Sequence, residues 1–210
     1  MIERGHYLGS APTCSHAFGL FLNGEIVGAA IFDKPVRENV ALSLWGEPAT
    51  ERTRELTRFY TLDDLARNTE TWFLARAVAM LPGEYEMIVA FSDPLGGHYG
   101  GLYQAASWLY LGRTRPAYHY EDATGRRIGK KTPWRIAVEQ GLLDGERPTD
   151  GEARVAAERG WRKVEGLRKY RYVKPRTRVA RRAVEQRAQP YPKPNRRSRR
   201  GRIPARSRGL

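Results

Sequence analysis

Residues 86–92, EMIVAFS, form a nearly unbroken apolar run that ends on Asp93-Pro94 and a turn holding Gly96, Gly97, Gly100 and Gly101. A short apolar run bounded by turn residues predicts a strand covered on both faces, as at the centre of a layered sheet. A carboxylate at the C-terminal end of such a strand stands where open α/β sheets bind their ligands. The surrounding chain supplies the cover. Phe18–Leu22 and Glu25–Phe32 flank Asn23-Gly24, the signature of a hairpin with a type I′ turn. Val40–Leu44 reads as a short strand. Arg54–Leu62 reads as a longer one, on which Arg58 shares the parity of Leu56, and Phe59 has the opposite parity. Asn68–Leu81 predicts a helix with Phe73, Leu74, Ala77, Val78 and Leu81 as its buried stripe and Asn68 or Thr69 as its N-cap.

After the glycine turn, Leu102–Tyr110 reads as a short helix, and Leu111–Thr114 and Ala117–Tyr120 as strand. Helices follow over 135–143 and 151–159, and Arg168–Val173 forms a last strand. The order hairpin, strand, helix, strand, turn, helix, strand predicts an α/β (α+β) fold, a mixed sheet flanked by helices. No GxGxxG follows a first strand, which excludes a doubly wound dinucleotide-binding domain.

Charge divides the chain. Its 210 residues carry a net +14. Residues 168–210 hold 17 Lys and Arg against the single acid Glu185, a net of +16, while residues 1–167 hold 20 against 22, a net of −2. From Lys174 onward the sequence is rich in Arg, Pro and Ser, with too few apolar groups to offset chain entropy, and it predicts a disordered tail with at most a transient helix around Thr177–Ala188. Such a tail attracts polyanions. Arg196, Arg197, Arg199 and Arg200 are its DNA-contact candidates, with Arg126, Arg127, Lys130 and Lys131 of the basic loop at 121–135. The alternative is a solvated tail with no single role. No run of 18 apolar residues exists, which excludes a membrane-spanning helix, and the N-terminus lacks a signal pattern. One cysteine, Cys14, allows no internal disulfide and no cysteine zinc site, and an intracellular, cytoplasmic setting is expected.

Chemistry concentrates in Ser92–Tyr110. Asp93 can accept a proton, His98 can serve as acid or base, and Tyr103 and Gln104 can point into the same cleft. A turn-capping Asp93 with glycines chosen for backbone angles is the plainer alternative. A second group is Glu55 and Arg58, of which only one can face a given cleft. A third is the start of the 68–81 helix, where Asn68, Thr69 and Thr71 can bind an anion or simply cap. Trp72 and Trp108 read as core, and Trp134 within RRIGKKTPWR as exposed. The histidines show no metal-ligand spacing.

The run Glu55-Leu56-Thr57-Arg58, the helix at 68–81, Ser92-Asp93-Pro94 and the string GHYGGLYQAASWLYLG at 97–112 together resemble the Mom family of phage DNA-modification proteins, over about residues 17–173. The resemblance implies a fold similar to the GCN5-related N-acetyltransferases over residues 1–173, with 174–210 as the tail. It implies conversion of adenine in double-stranded DNA to N6-carbamoylmethyladenine, which shields phage DNA from host restriction, with acetyl-coenzyme A as cofactor. It implies Asp93 and Tyr103 as the catalytic pair, Arg58 and His98 as further active-site residues, and Asn68, Thr69 and Thr71 at the place where acetyltransferases hold the pyrophosphate. The sequence departs from the acetyltransferase pattern there, because DLARNTET at 64–71 replaces the glycine-rich loop. Two rivals follow from the same residues: a coenzyme A-dependent acetyltransferase acting on another amine, and a non-catalytic nucleic-acid-binding protein.

Overall fold

The computed structural model describes residues 14–35, 37–94, 97–129, 131–142 and 148–193. They divide into two units, residues 114–168 and the rest of the chain. In the larger unit, β1 (His16–Leu22), β2 (Glu25–Asp33), β3 (Thr53–Thr61), β4 (Met87–Ser92), β5 (Leu109–Arg113) and β9 (Tyr170–Pro175) make one sheet in the order β1-β2-β3-β4-β9-β5. The apolar run is its interior strand β4. Ile88 and Ala90 face one core with Phe32, Leu56, Tyr172 and the stripe Phe73, Leu74, Ala77 and Val78 of helix α2 (Thr69–Ala79). Met87 and Val89 face the other core with Leu44 of helix α1 (Glu38–Trp45) and Ala180 and Val184 of helix α6 (Arg178–Val184). The α+β class and the doubly covered strand are therefore as the sequence predicts.

Asn23 and Gly24 take φ of 52° and 85°, as a type I′ turn requires, and Leu22 pairs with Glu25 across it. The Val40–Leu44 segment is not a strand. It lies in α1, where Ala41 and Leu44 are buried three apart and Gly46 closes the helix in the left-handed region. Helix α3 (Gly101–Ala105) ends sooner than Tyr110, because Ser107 at φ 57° turns the chain into β5. Trp72, expected in the core, is 54% exposed on the outer side of α2, while Trp108 is buried.

The chain from Lys174 onward is not a tail at its start. Residues 174–193 finish β9, form α6 and a 3-10 turn at Glu185–Arg187, and run back beside β5, where the Gln189 amide donates to the Tyr110 carbonyl at 2.8 Å. Thr177 caps α6 by accepting from the Ala180 amide at 3.1 Å. Arg176 donates to the carbonyls of Leu81, Pro82 and Tyr85, and Arg187 to those of Ser43, Leu44 and Ala183. Charge density suggested a solvated segment, but these guanidiniums serve as caps for carbonyls and two small apolar residues complete a core. Arg196, Arg197, Arg199, Arg200 and Lys130 lie outside the described residues.

The second unit interrupts what would otherwise be a hairpin, since β5 and β9 pair antiparallel on either side of it. It holds a small sheet in the order β7 (Arg127–Ile128), β6 (Ala117–Glu121), β8 (Arg162–Leu167), with helices α4 (Lys131–Glu139) and α5 (Pro148–Glu158). Its ends are tied by the Arg168 Nε donating to the Thr114 carbonyl at 3.1 Å. The larger unit is tied at the same junction by Arg113, which donates to the Tyr170 hydroxyl at 2.7 Å and lies 4.6 Å from that ring's centroid.

Truncation after Lys193 should leave the melting temperature within a few degrees of the full chain. Truncation after Val173 uncovers Met87, Val89 and Val173 and removes buried Val184, each buried Val contributing about 1.5–3 kcal/mol. That loss is comparable to a domain's whole stability, so the shorter chain should show no cooperative thermal unfolding by circular dichroism.

Candidate active site

Strands β3 and β4 are the one parallel pair of the large sheet, and they stay paired only briefly. Thr53–Leu56 match Met87–Ala90, after which β3 continues to Thr61 with no strand partner on that side among the described residues. The two strands part into a wedge open at their carboxyl ends. A cavity of about 640 Å³ fills the wedge. Leu56 to Thr61 of β3 form one wall, Phe91, Ser92 and Asp93 of β4 another, and Gly97 to Tyr103 cover it. Asp93, Tyr103, Arg58 and His98, singled out by sequence, all line it.

Each of the four is positioned by a distinct local cause. Asp93 is 2% exposed at the end of β4, and the His98 amide donates to its carbonyl at 3.3 Å, which folds the glycine turn back over the strand end. Arg58 follows a bulge. Phe32 pairs with Leu56 and Ile31 with Arg58, so Thr57 is an extra residue whose hydroxyl donates to the Ile31 carbonyl at 3.1 Å. The bulge resets the alternation along β3. Leu56 and Phe59, of opposite parity in sequence, both pack on the α2 core, and Phe59 lies 5.5 Å from the Phe73 ring. Arg58 lines the cavity with a guanidinium N–H donating to the Thr57 carbonyl at 2.7 Å, and Glu55 does not line it.

Tyr103 is held by its neighbours, with ring centroids 5.1 Å from Trp108 and 5.2 Å from Tyr172. Tyr172, on β9, was not apparent from sequence as part of this arrangement. Its side chain is fully buried, its hydroxyl donates to the Tyr99 carbonyl at 2.6 Å, and it accepts from Gln104 Nε2 at 3.0 Å. Gly100, at φ 88°, lies against the same ring, and a Cβ there would overlap it. Gln104 itself does not line the cavity. Its amide points away, to Tyr172 and the carbonyls of Tyr99 and Pro192.

The start of α2 has the N-cap the sequence offers, but its candidate anion-binding residues stand away from the cavity. Asn68 is its N-cap residue, in the left-handed region and without a side-chain cap bond, and Thr71 donates to the Asn68 carbonyl at 2.9 Å. None of Asn68, Thr69 and Thr71 lines the cavity, whereas Glu70 and Asp63 do. Glu70 accepts from the Thr61 hydroxyl at 3.2 Å. Of the basic-loop residues, Arg126 pairs with Asp122 at 3.2 Å, Arg127 lies in β7 and Lys131 is exposed at the start of α4.

The chain is an α+β protein whose splayed parallel strand pair holds a cavity lined by a buried carboxylate, a phenol, an imidazole and a guanidinium, at the strand ends where open α/β sheets place their ligands. The match to a family model is more specific: residues 1–193 fit the Mom protein family, and the chain belongs to it. By that membership it is one of the phage DNA-modification proteins, which act on DNA. No curated protein matches the chain. Among the described residues, no helix is long and apolar enough to cross a membrane.

Burial pushes the Tyr172 phenol up to about 12, from an ordinary value of 10.0. The fold therefore favours the neutral phenol, and this stabilisation is complete below pH 10 and lost as pH rises toward 12. Tyr172→Phe should cost about 1–3 kcal/mol near neutral pH by leaving the Tyr99 carbonyl and Gln104 amide without their partner. Its stability gap from the unaltered chain should narrow between pH 10 and 12, as read from urea unfolding across that range.

Proposed function

We propose that the protein converts adenine in double-stranded DNA to N6-carbamoylmethyladenine, protecting phage DNA from restriction, with the reaction held in the β3–β4 wedge. The observation that carries this reading is the gathering of Arg58, Asp93, His98 and Tyr103, up to 45 positions apart in sequence, around one cavity in a chain of the Mom family. The adenine amine is a poor nucleophile, because its lone pair is delocalised into the ring. A buried carboxylate beside it removes a proton as its new bond forms, and this is the role proposed for Asp93. Tyr103, fixed between Trp108 and Tyr172, donates to the departing group or orients the donor. Arg58 and His98 steady negative charge developing opposite them. The target amine is inside the duplex, so the base leaves the stack to reach a cavity of this depth.

Acetyl-coenzyme A is the proposed donor, and the residues fit it only in part. The edge of β3 from Thr57 to Thr61, which β4 leaves open, offers backbone N–H and C=O groups to an extended, amide-bearing arm. The beginning of α2 does not suit a pyrophosphate, since Asp63 and Glu70 line that end of the cavity. When bound, the cofactor supplies an activated two-carbon unit. The carbamoylmethyl product is joined to N6 through a methylene carbon, which plain acetyl transfer does not deliver: starting from an acetyl thioester, a two-electron oxidant at the methyl carbon and an amine donor that displaces the thiolate to give the amide would both be required.

The test is to express the protein in a bacterium, digest the plasmid to nucleosides and weigh them. A deoxyadenosine heavier by a carbamoylmethyl group is the expected result. Unmodified DNA from cells holding soluble protein overturns the reading, and acetylated amines found instead favour the acetyltransferase alternative. Asp93→Asn, which keeps the side chain's size, should lower modification at least ~100-fold while leaving melting temperature and DNA affinity unchanged. Parallel loss of all three removes Asp93 from the chemistry.

A further inference from the structure

Helix α4 buries one side and leaves another that its own unit does not explain. Pro133 and Ala137, four apart, are buried. On the outer side, Trp134 is 42% exposed and Val138, one turn on, is 47% exposed. Lys131, Thr132, Trp134 and Arg135 line a shallow groove of about 310 Å³ on this face. Lys131 and Arg135, four residues apart, occupy adjacent turns of the helix face that carries Trp134, and Arg135 also forms an exposed ion pair with Glu139 at 3.7 Å, which is worth little in water. From residue 123 to residue 138 the sequence holds five cations and no acid.

We propose that this groove is a nucleobase-stacking site, in which Trp134 takes one face of an unpaired DNA base and Lys131 and Arg135 contact the phosphates beside it. The proposal rests on the DNA-modification reading. An exposed indole presents a flat apolar surface, and every base offers a matching one, so stacking needs no hydrogen-bond readout. The two cations attract the phosphates of a polynucleotide and favour it over a neutral aromatic ligand. An acidic peptide would use the cations but leave the indole without a planar partner. The fold position is consistent with a recognition role. The unit is inserted between two strands that pair directly, so the large sheet does not require it to close.

The test uses the full chain and fluorescence anisotropy with a labelled single-stranded oligonucleotide and its duplex. Trp134→Ala should weaken single-strand binding about 5- to 100-fold, the range seen for losing one stacked base. Trp134→Phe should recover most of that loss, and neither change should alter the slope of log affinity against log salt. Lys131→Ala and Arg135→Ala should instead each make that slope shallower by about one unit. Thermal melting of each variant checks the fold. Equal affinity of Trp134→Ala and the unaltered chain overturns the stacking site, and so does a dimer in sedimentation that Trp134→Ala dissolves, because the face then belongs to a second copy. No binding to either oligonucleotide by the unaltered chain overturns this proposal and the DNA reading together. Intact binding without any modified nucleoside counts only against the latter.

Discussion

The Tyr172 ring beneath Gly100 holds the cavity together. It is a contact between the middle of the sheet and the turn that covers the cavity. Tyr172 stands on β9, fixed between β4 and β5, and its hydroxyl reaches the Tyr99 carbonyl. Only a residue without a Cβ can approach that ring at φ 88°. The turn that carries His98 and the helix that carries Tyr103 are therefore seated on β9 as well as on the end of the strand that precedes them. Buried aromatics extend the same support, with Tyr110 on the far side of Tyr172 at 5.2 Å and Trp108 behind Tyr103.

The wedge follows from how briefly β3 and β4 pair. Parallel strands that separate expose backbone polar groups, and such groups need partners. In the β3–β4 wedge these groups face a cavity whose polar lining also includes Asp93, Ser92, Thr57, Arg58, His98 and Glu70. The bulge at Thr57 adds a second effect. It lets one strand give Leu56 and Phe59 to the core while placing Arg58 at the cavity, which a regular alternation would not do.

Much of this was legible in the chain. The apolar run of β4, the Asn-Gly hairpin and the stripe of α2 each carry a strong local pattern, and each formed as read. Asp93, His98 and Tyr103 were findable because they cluster in one glycine-rich stretch. What escaped had non-local causes. A bulge is set by the register between two strands, so the placement of Arg58 was invisible in β3 alone. Val40–Leu44 is short and apolar, and only its packing against α6 decides for helix. Residues 174–193 read as disordered by charge, because a sequence does not say which arginines will find backbone carbonyls to cap. The sequence also had Gln104 facing the cleft, when the hydroxyl it bonds is 68 positions away.

The two ties at the insertion point have a separate meaning. Arg113 and Tyr170 close the large sheet on one side of the junction, and Thr114 and Arg168 close the small unit on the other. A graft sealed on both sides in this way can be lengthened, exchanged or lost with little strain on its host. Sequence change within the small unit is thereby uncoupled from the sheet that shapes the cavity, and the two parts are free to evolve at different rates.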